Sequence, residues 1–429
     1  MQSNLDNHRI SHALQKALQT ARLVTEDDSA VIFYDLDALR DRVMALQQNF
    51  PKTALHAIAV KANPLVNILK FFKPLNVGAE AATLPEVYLA EKSGYHPGRI
   101  VYDSPTKTVR ELQYVLERGV QINADSLDEL ERIAQLVQNK PVSSSIGVRI
   151  NPQVGVGKIA FTSVAGEYSK FGVPIKDERH ALMECFLKYP WLRGVHLHIG
   201  SQTIGLEMLL RGVGTVVDFM QQVNRQLSDR GIDRRIEIFD LGGGLPVAYH
   251  PEDEPVTLEV YVAALRRNFP ILFSNELCLI TEFGRYVHAN SAWVTSRVEY
   301  VKRASTAKTL MVHVGADLFL RKCYQPDFWH HEMFLCDSRG VIKTGATRKY
   351  TVAGPLCFAG DILARQIALP QAEPGDHLII KDAGAYTLST WSRHNSRQIP
   401  QVIGYEGSGP KFVQLKKRES LQEILKFWS

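Results

Sequence analysis

The stretch His56-Ala57-Ile58-Ala59-Val60-Lys61-Ala62-Asn63-Pro64 decides how the chain is read. An apolar run containing β-branched residues passes directly into a lysine, a small residue and Asn-Pro. Such a run reads as a buried strand of a parallel sheet, and Asn-Pro as the turn that ends it. Lys61 then stands at the carboxyl end of an interior strand, where α/β barrels place their chemistry. A lysine stripped of water in such a place favours the neutral amine, the form that makes a Schiff base. The same stretch equally fits a lysine that extends to solvent from a strand end. The rest of the chain must decide.

Upstream, residues 10–24 form an amphipathic pattern with Leu14, Ala17, Leu18 and Ala21 at helical spacing. A strand follows at 30–36, and a helix at 37–50 with Leu39, Val43 and Leu46 on one face. Downstream, strands are expected at 78–82, 99–102, 120–123, 145–150, 194–198, 236–240 and 277–282. Helices are expected at 65–72, 85–92, 106–118, 127–137, 177–187 and 206–229, and a long glycine-containing loop after Asn151-Pro152. This unbroken alternation predicts a parallel (β/α)8 TIM barrel over residues 35–290. A doubly wound open sheet is the competing fold, but the first strand-to-helix turn carries no G-x-G-x-x-G.

After Arg285 the texture changes to alternating runs such as 292–298, 309–314 and 377–380, divided by turn residues. These predict a second, mainly antiparallel β domain over 291–429, with residues 1–34 contributing to it.

Composition narrows the function. The 429 residues carry 50 basic and 45 acidic side chains, a net charge of +5 without any basic tract, so no nucleic-acid partner is implied. No apolar run approaches the ~18 residues of a membrane span. The segment Met1–His8 is polar and lacks a signal-type apolar region. The five cysteines (185, 278, 323, 336 and 357) show neither paired nor metal-type spacing. A cytoplasmic enzyme with reduced thiols and no metal is expected.

Four strand ends carry reactive groups: Lys61; His198 in His196-Leu197-His198-Ile199-Gly200-Ser201-Gln202; Asp240-Leu241-Gly242-Gly243-Gly244; and Thr281-Glu282-Phe283-Gly284-Arg285. Three glycines after a strand expose backbone N–H groups in a concave turn, which suits a phosphate. Gly200-Ser201 and Gly284-Arg285 add donors, and the arginine fork matches phosphate or carboxylate. Each has an ordinary alternative: a tight turn, a core histidine, a surface ion pair. As a set on one barrel they suit a phosphorylated carbonyl cofactor held by Lys61, pyridoxal 5'-phosphate.

At this point the sequence resembles the fold-type III pyridoxal-phosphate decarboxylases, which include diaminopimelate, ornithine and arginine decarboxylases. The likeness lies in Ala59-Val60-Lys61-Ala62-Asn63, Arg149-Ile150-Asn151-Pro152, His198–Gln202, Gly242–Gly244, Glu282–Arg285, Gly354–Asp361 and Asp382–Tyr386, in order. It implies an alanine racemase-like barrel with Lys61 bonded to the cofactor, His198 stacked on its ring and Glu282 paired with its nitrogen. Alanine racemases place an arginine against that nitrogen, so Glu282 points to decarboxylation. Ser201, Gly242, Gly243, Gly244, Gly284, Arg285 and Tyr386 are implied at the phosphate or the adjoining substrate end. Cys357 is implied as the residue that assists protonation of the carbanion, reaching the neighbouring subunit of a homodimer with shared active sites.

Departures from the family bear on the substrate, a small amino acid or conjugate. Diaminopimelate and ornithine decarboxylases carry an acid after the cysteine, where this chain has Phe358. A buried distal ammonium would lack its counter-ion there. Arg321 remains at a position resembling the arginine that holds a distal carboxylate, with Tyr324 nearby. Lys322, His330 and His331 either add cationic donors or face solvent. Phe283 replaces a proline, the loop 153–169 lacks the family's histidine-threonine-histidine pattern, and His394 replaces a tyrosine. These features favour an anionic distal end, for example a citryl-linked amino acid of siderophore assembly. Ordinary diaminopimelate decarboxylase and a non-catalytic regulatory homologue are the alternatives.

Overall fold

The computed structural model describes residues 5–19, 23–138, 141–157, 164–202, 205–274, 276–304 and 308–429. Parts of the expected helix 10–24 and of the loop 153–169, Lys158 included, lie outside the described residues, as do Met1–Asn4. The chain divides into two compact units. One comprises Arg42–Val247 and Glu254–Tyr286, the other Met1–Asp41, Ala248–Asp253 and Val287–Ser429.

Among the described residues, the first unit is a closed barrel of eight parallel strands. In barrel order these are Leu55–Ala59, Gly78–Ala81, Ile100–Tyr102, Gln121–Ala124, Ile146–Asn151, Leu192–His196, Ile238–Asp240 and Cys278–Thr281. Closure comes from the last strand pairing with the first, Ile280 opposite Leu55 and Thr281 opposite His56. Nearly every strand residue is buried, which is why the runs read as apolar rather than alternating. The outer helices start where side chains cap them: Thr83 and Ser126 each accept the N–H three residues on, and Thr108 with Glu111 forms a capping box. That box moves the helix expected from Thr106 to Val109–Arg118.

One helix, Leu258–Asn268, is not among those expected. Its signal is present, with Leu258, Tyr261, Val262 and Leu265 buried at helical spacing behind the Thr257 cap. At one end of the barrel Ala57, Val101 and Ile280 form an apolar cluster, with Leu55 and Ile238 packed against it.

The second unit holds two sheets. The larger runs Met333–Cys336, His377–Ile380, Ala292–Arg297, Ala30–Asp35, Gln401–Glu406, Lys411–Lys416; the smaller runs Tyr300–Arg303, Lys308–Met311, Arg348–Ala353, Ile362–Leu369. Pairing is antiparallel except between Ala30–Asp35 and Gln401–Glu406 and between Lys308–Met311 and Arg348–Ala353. Phe33 stacks on Trp293 at 4.2 Å in its core. No helix among the described residues is long and apolar enough to cross a membrane.

Candidate active site

Lys61 lies just past the strand rather than on it. Leu55–Ala59 ends in a single 3-10 turn, Val60–Ala62, closed by the Asn63 N–H donating to the Val60 carbonyl at 2.9 Å. Gly284 makes room for this turn, since a Cβ there would stand 2.8 and 2.9 Å from the methyl carbons of Ala59 and Ala62. The Lys61 ammonium donates to Glu80 Oε2 at 2.5 Å. Glu80 is fully buried; burial pushes its carboxyl up to about 8, with Lys61 pulling the other way and Glu282 and Asp103 adding to the rise. Sequence reading missed Glu80. The available sign was a lone acid inside a strand of glycine and alanine, Gly78-Ala79-Glu80-Ala81.

A second buried cluster faces the same barrel end. His196, the last residue of its strand, places Nε2 3.3 Å from Asp103 Oδ2 and 3.5 Å from Glu282 Oε2. Asp103 also takes Arg149 Nη1 at 3.5 Å. Burial alone would lower the His196 pKa, but the charges of Glu282, Asp240 and Asp103 raise it to about 9. Asp103 goes down to about 2, because Arg149, His196, Lys61 and Lys107 together outweigh its burial. Burial and the Glu282 charge push Asp240 up to about 8. Glu282 Oε1 is buried and has no hydrogen-bond partner among the described residues. Asp103, His196 and Glu282 offer ligand-type atoms within 4.8 Å of one another. A protonated imidazole, however, has no lone pair to give a cation, so this geometry suits an ion-pair network better than a metal.

His198 stands two residues past the strand, with Nδ1 accepting the Gly243 N–H at 3.0 Å. Burial, with Arg149, Lys61 and His196 nearby, holds its pKa well below the usual value. The ring is therefore neutral, with its proton on Nε2. The Gly242 N–H is also committed, donating to Asp240 Oδ1 at 2.9 Å. This corrects the expectation of three glycine amides open to a phosphate: two of them tie the loop to its neighbours. Gly242 (φ +63°) and Gly244 (φ +104°) adopt left-handed backbone, and a Cβ at either would run into the carbonyl of Leu197 or Gly200. Ser201 Oγ accepts from Arg285 Nε at 3.0 Å, joining the two loops that carry polar donors.

These residues fit a pyridoxal cofactor: an amine at Lys61, a neutral imidazole at His198, a buried carboxylate oxygen without a partner at Glu282, and hydroxyl and guanidinium donors at Ser201 and Arg285. The structure brings this barrel set together at the carboxyl ends of the strands.

The remaining candidates belong to the β unit. The Arg321 guanidinium lies 4.6 Å from the Tyr386 ring centre and 5.1 Å from that of Trp329. Phe358 stacks on Tyr324 at 5.7 Å and meets His394 edge-on at 6.0 Å. Cys357 is exposed, and its N–H donates to Asn395 Oδ1 at 2.7 Å. Lys322 reaches the Pro326 carbonyl at 3.3 Å, and His330 packs 4.3 Å from His250. His331 does not face solvent as one reading had it. It is buried, with Nδ1 2.8 Å from the Lys381 carbonyl and its ring against Phe319 and Tyr249. Its position two residues after Trp329 in a run of aromatic residues was the only local hint.

A family model described as pyridoxal-dependent decarboxylase, pyridoxal binding domain, matches residues 36–289. Diaminopimelate decarboxylase of Helicobacter pylori is 31% identical over 401 residues, 91% of this chain and 93% of the relative. That of Methanothermobacter thermautotrophicus is 31% identical over 376 residues, 86% of this chain and 83% of the relative. Among solved structures, diaminopimelate decarboxylase from H. pylori complexed with L-lysine superposes with a TM-score of 0.82 at 27% identity, covering 95% of this chain and 98% of that one. With the barrel, its lysine and these likenesses in hand, the chain belongs to the pyridoxal-dependent decarboxylase family and is a pyridoxal-phosphate carboxy-lyase of amino acids.

Proposed function

We propose that the chain removes the α-carboxylate of an amino acid whose distal end carries a carboxylate, with diaminopimelate the first substrate to test. The observation that carries the reaction type is the buried, unpartnered Oε1 of Glu282. An acid aimed at the cofactor's ring nitrogen keeps that nitrogen protonated. The bound cofactor supplies the sink for the electrons of the broken bond. Lys61 would anchor it, the neutral His198 ring would lie against its face, and Ser201, Arg285, Gly284 and Gly242–Gly244 would hold its phosphate end. Cys357 delivers a proton to the product carbon from the neighbouring subunit, and Tyr386 closes the substrate end. Arg321, with Tyr324 and Phe358, meets the distal group.

The functional domains in this reading are 35–290, binding the cofactor, and 1–34 with 291–429. A head-to-tail homodimer in the cytoplasm goes with it; a monomer of full activity would overturn the shared site. The near full-length likeness to diaminopimelate decarboxylases supports diaminopimelate over a citryl-linked amino acid. Phe358 favours the second, because it stacks on Tyr324 where a distal ammonium would need an acid.

Carbon dioxide release from diaminopimelate, a citryl-linked amino acid and ornithine separates these readings. Preference for diaminopimelate supports the first and preference for the conjugate the second. In the second case Phe358→Glu should raise kcat/KM for diaminopimelate about tenfold, one charge-assisted contact's worth. Ornithine has no distal carboxylate, so preference for it would sink both. Release from none would overturn the reaction itself.

A further inference from the structure

The barrel end holds a buried cation to which the roles above give no task. His196 sits between Arg149 and Asp240 in strand register, with Asp103 and Glu282 approaching its Nε2. Every charged group that bears on it comes from a different strand or the residue just past one: Asp103, Arg149, Asp240 and Glu282. The charges of Glu282, Asp240 and Asp103 offset the cost of burying the imidazolium, and Arg149 Nη1 shares Asp103 Oδ2 with it at 3.5 Å.

The two oxygens of Glu282 then have different surroundings. Oε2 faces His196, while Oε1 has no hydrogen-bond partner among the described residues. Repulsion from Glu282 and Asp103, added to burial, pushes the carboxyls of Glu80 and Asp240 up to about 8. A cation on one oxygen offsets that repulsion and fixes the direction of the other.

We propose that His196 is a positioning residue that, as an imidazolium paired with Asp103, holds Glu282 aimed at the cofactor's ring nitrogen. This rests on the reading of Glu282 as the partner of that nitrogen. In this reading His196 acts on the cofactor only through Glu282. Its effect is carried entirely by the second carboxylate oxygen, so it differs from His198, which the same motif supplies two residues later.

The test uses holoenzyme loaded with cofactor carrying 15N in its ring, read by NMR. Wild-type enzyme should show a protonated ring nitrogen. His196→Gln should still bind the cofactor, shift that resonance toward the unprotonated position, and lose about tenfold in kcat with little change in KM. A His196→Gln enzyme with the nitrogen still protonated and kcat unchanged would overturn the proposal. Glu282→Gln separates the two readings: if it leaves the nitrogen protonated, the assignment of Glu282 fails instead. Should His196→Gln not fold, wild-type holoenzyme labelled with 15N-histidine decides. A His196 ring doubly protonated at neutral pH supports the proposal, and a neutral ring overturns it.

Discussion

In the barrel, Val101, Ile238 and Ile280 meet in an apolar cluster, and two positions further along each strand stand Asp103, Asp240 and Glu282. Residues two apart on a strand share a face, so each column of side chains passes from hydrocarbon to carboxylate within about 7 Å. The first strand instead passes from the buried Ala57 into the 3-10 turn that carries Lys61. One end is held together by burial alone. The other holds Glu80, Asp103, Arg149, His196, Asp240 and Glu282, buried ionisable groups that cost stability and are kept in order by one another and by the partly exposed Lys61. The contrast teaches where to look for each property: stability near the start of the strands and chemistry past their ends.

The largest break in this comparison is Lys61→Ala. It should lower decarboxylation by about 10⁴-fold or more and abolish the visible absorbance of bound cofactor, while leaving the urea midpoint close to wild type. A variant within tenfold of wild type would remove Lys61 from the chemistry. Glu282→Gln should cost about 10²–10³ in kcat with the cofactor still bound, as expected for loss of an aimed charge. Substrate turnover and cofactor titration together check it.

The opposite end should answer differently. Ile280→Ala should destabilise the chain by about 2–5 kcal/mol in urea denaturation, with kcat at low temperature nearly unchanged. A large fall in kcat without a fall in stability would mean the two ends are not separable.

The smallest effect is in pH dependence. His196 is raised to about 9, so what it contributes to stability is present below its ordinary value of 6.5 and lost as pH rises through 9. Asp240 is raised to about 8, so the stability it loses accumulates as pH rises from its ordinary 3.8 and is fully lost once pH has passed 8. Both act in the same direction, and stability should fall between pH 6.5 and 9. Asp240→Asn should make that fall shallower in denaturation midpoints taken across the window. An equal or steeper fall would show that the buried acid is not its source.

Most of the fold was legible because its signals are local. Alternating apolar runs and amphipathic helices announce a barrel, and the helices Leu127–Val137 and Leu206–Asp229 fall where the spacing puts them. Leu258–Asn268 escaped notice because the polar, proline-bearing run Pro251–Pro255 before it reads as a continuing loop. The site was legible only where a motif is contiguous, as in the stretches bearing Lys61, His198 and Glu282. Glu80, Asp103 and His196 meet through barrel closure, and nothing in their own neighbourhoods says which distant side chains they will face. The glycine triplet was visible, but its main demand proved to be backbone crowding from neighbouring strands.

The seam that closes the barrel has a consequence for how the protein is made. His56 and Thr281 meet across it, Nδ1 to Oγ1 at 2.9 Å, joining the first barrel strand to the last. Lys61 follows one side of this seam and Glu282 the other, so the amine and the acid proposed to meet the cofactor come from opposite ends of the barrel sequence. A nascent chain that has emerged only through the seventh strand possesses the lysine but no finished pocket. Completing the pocket therefore waits on insertion of the last strand, Cys278–Thr281, beside the first.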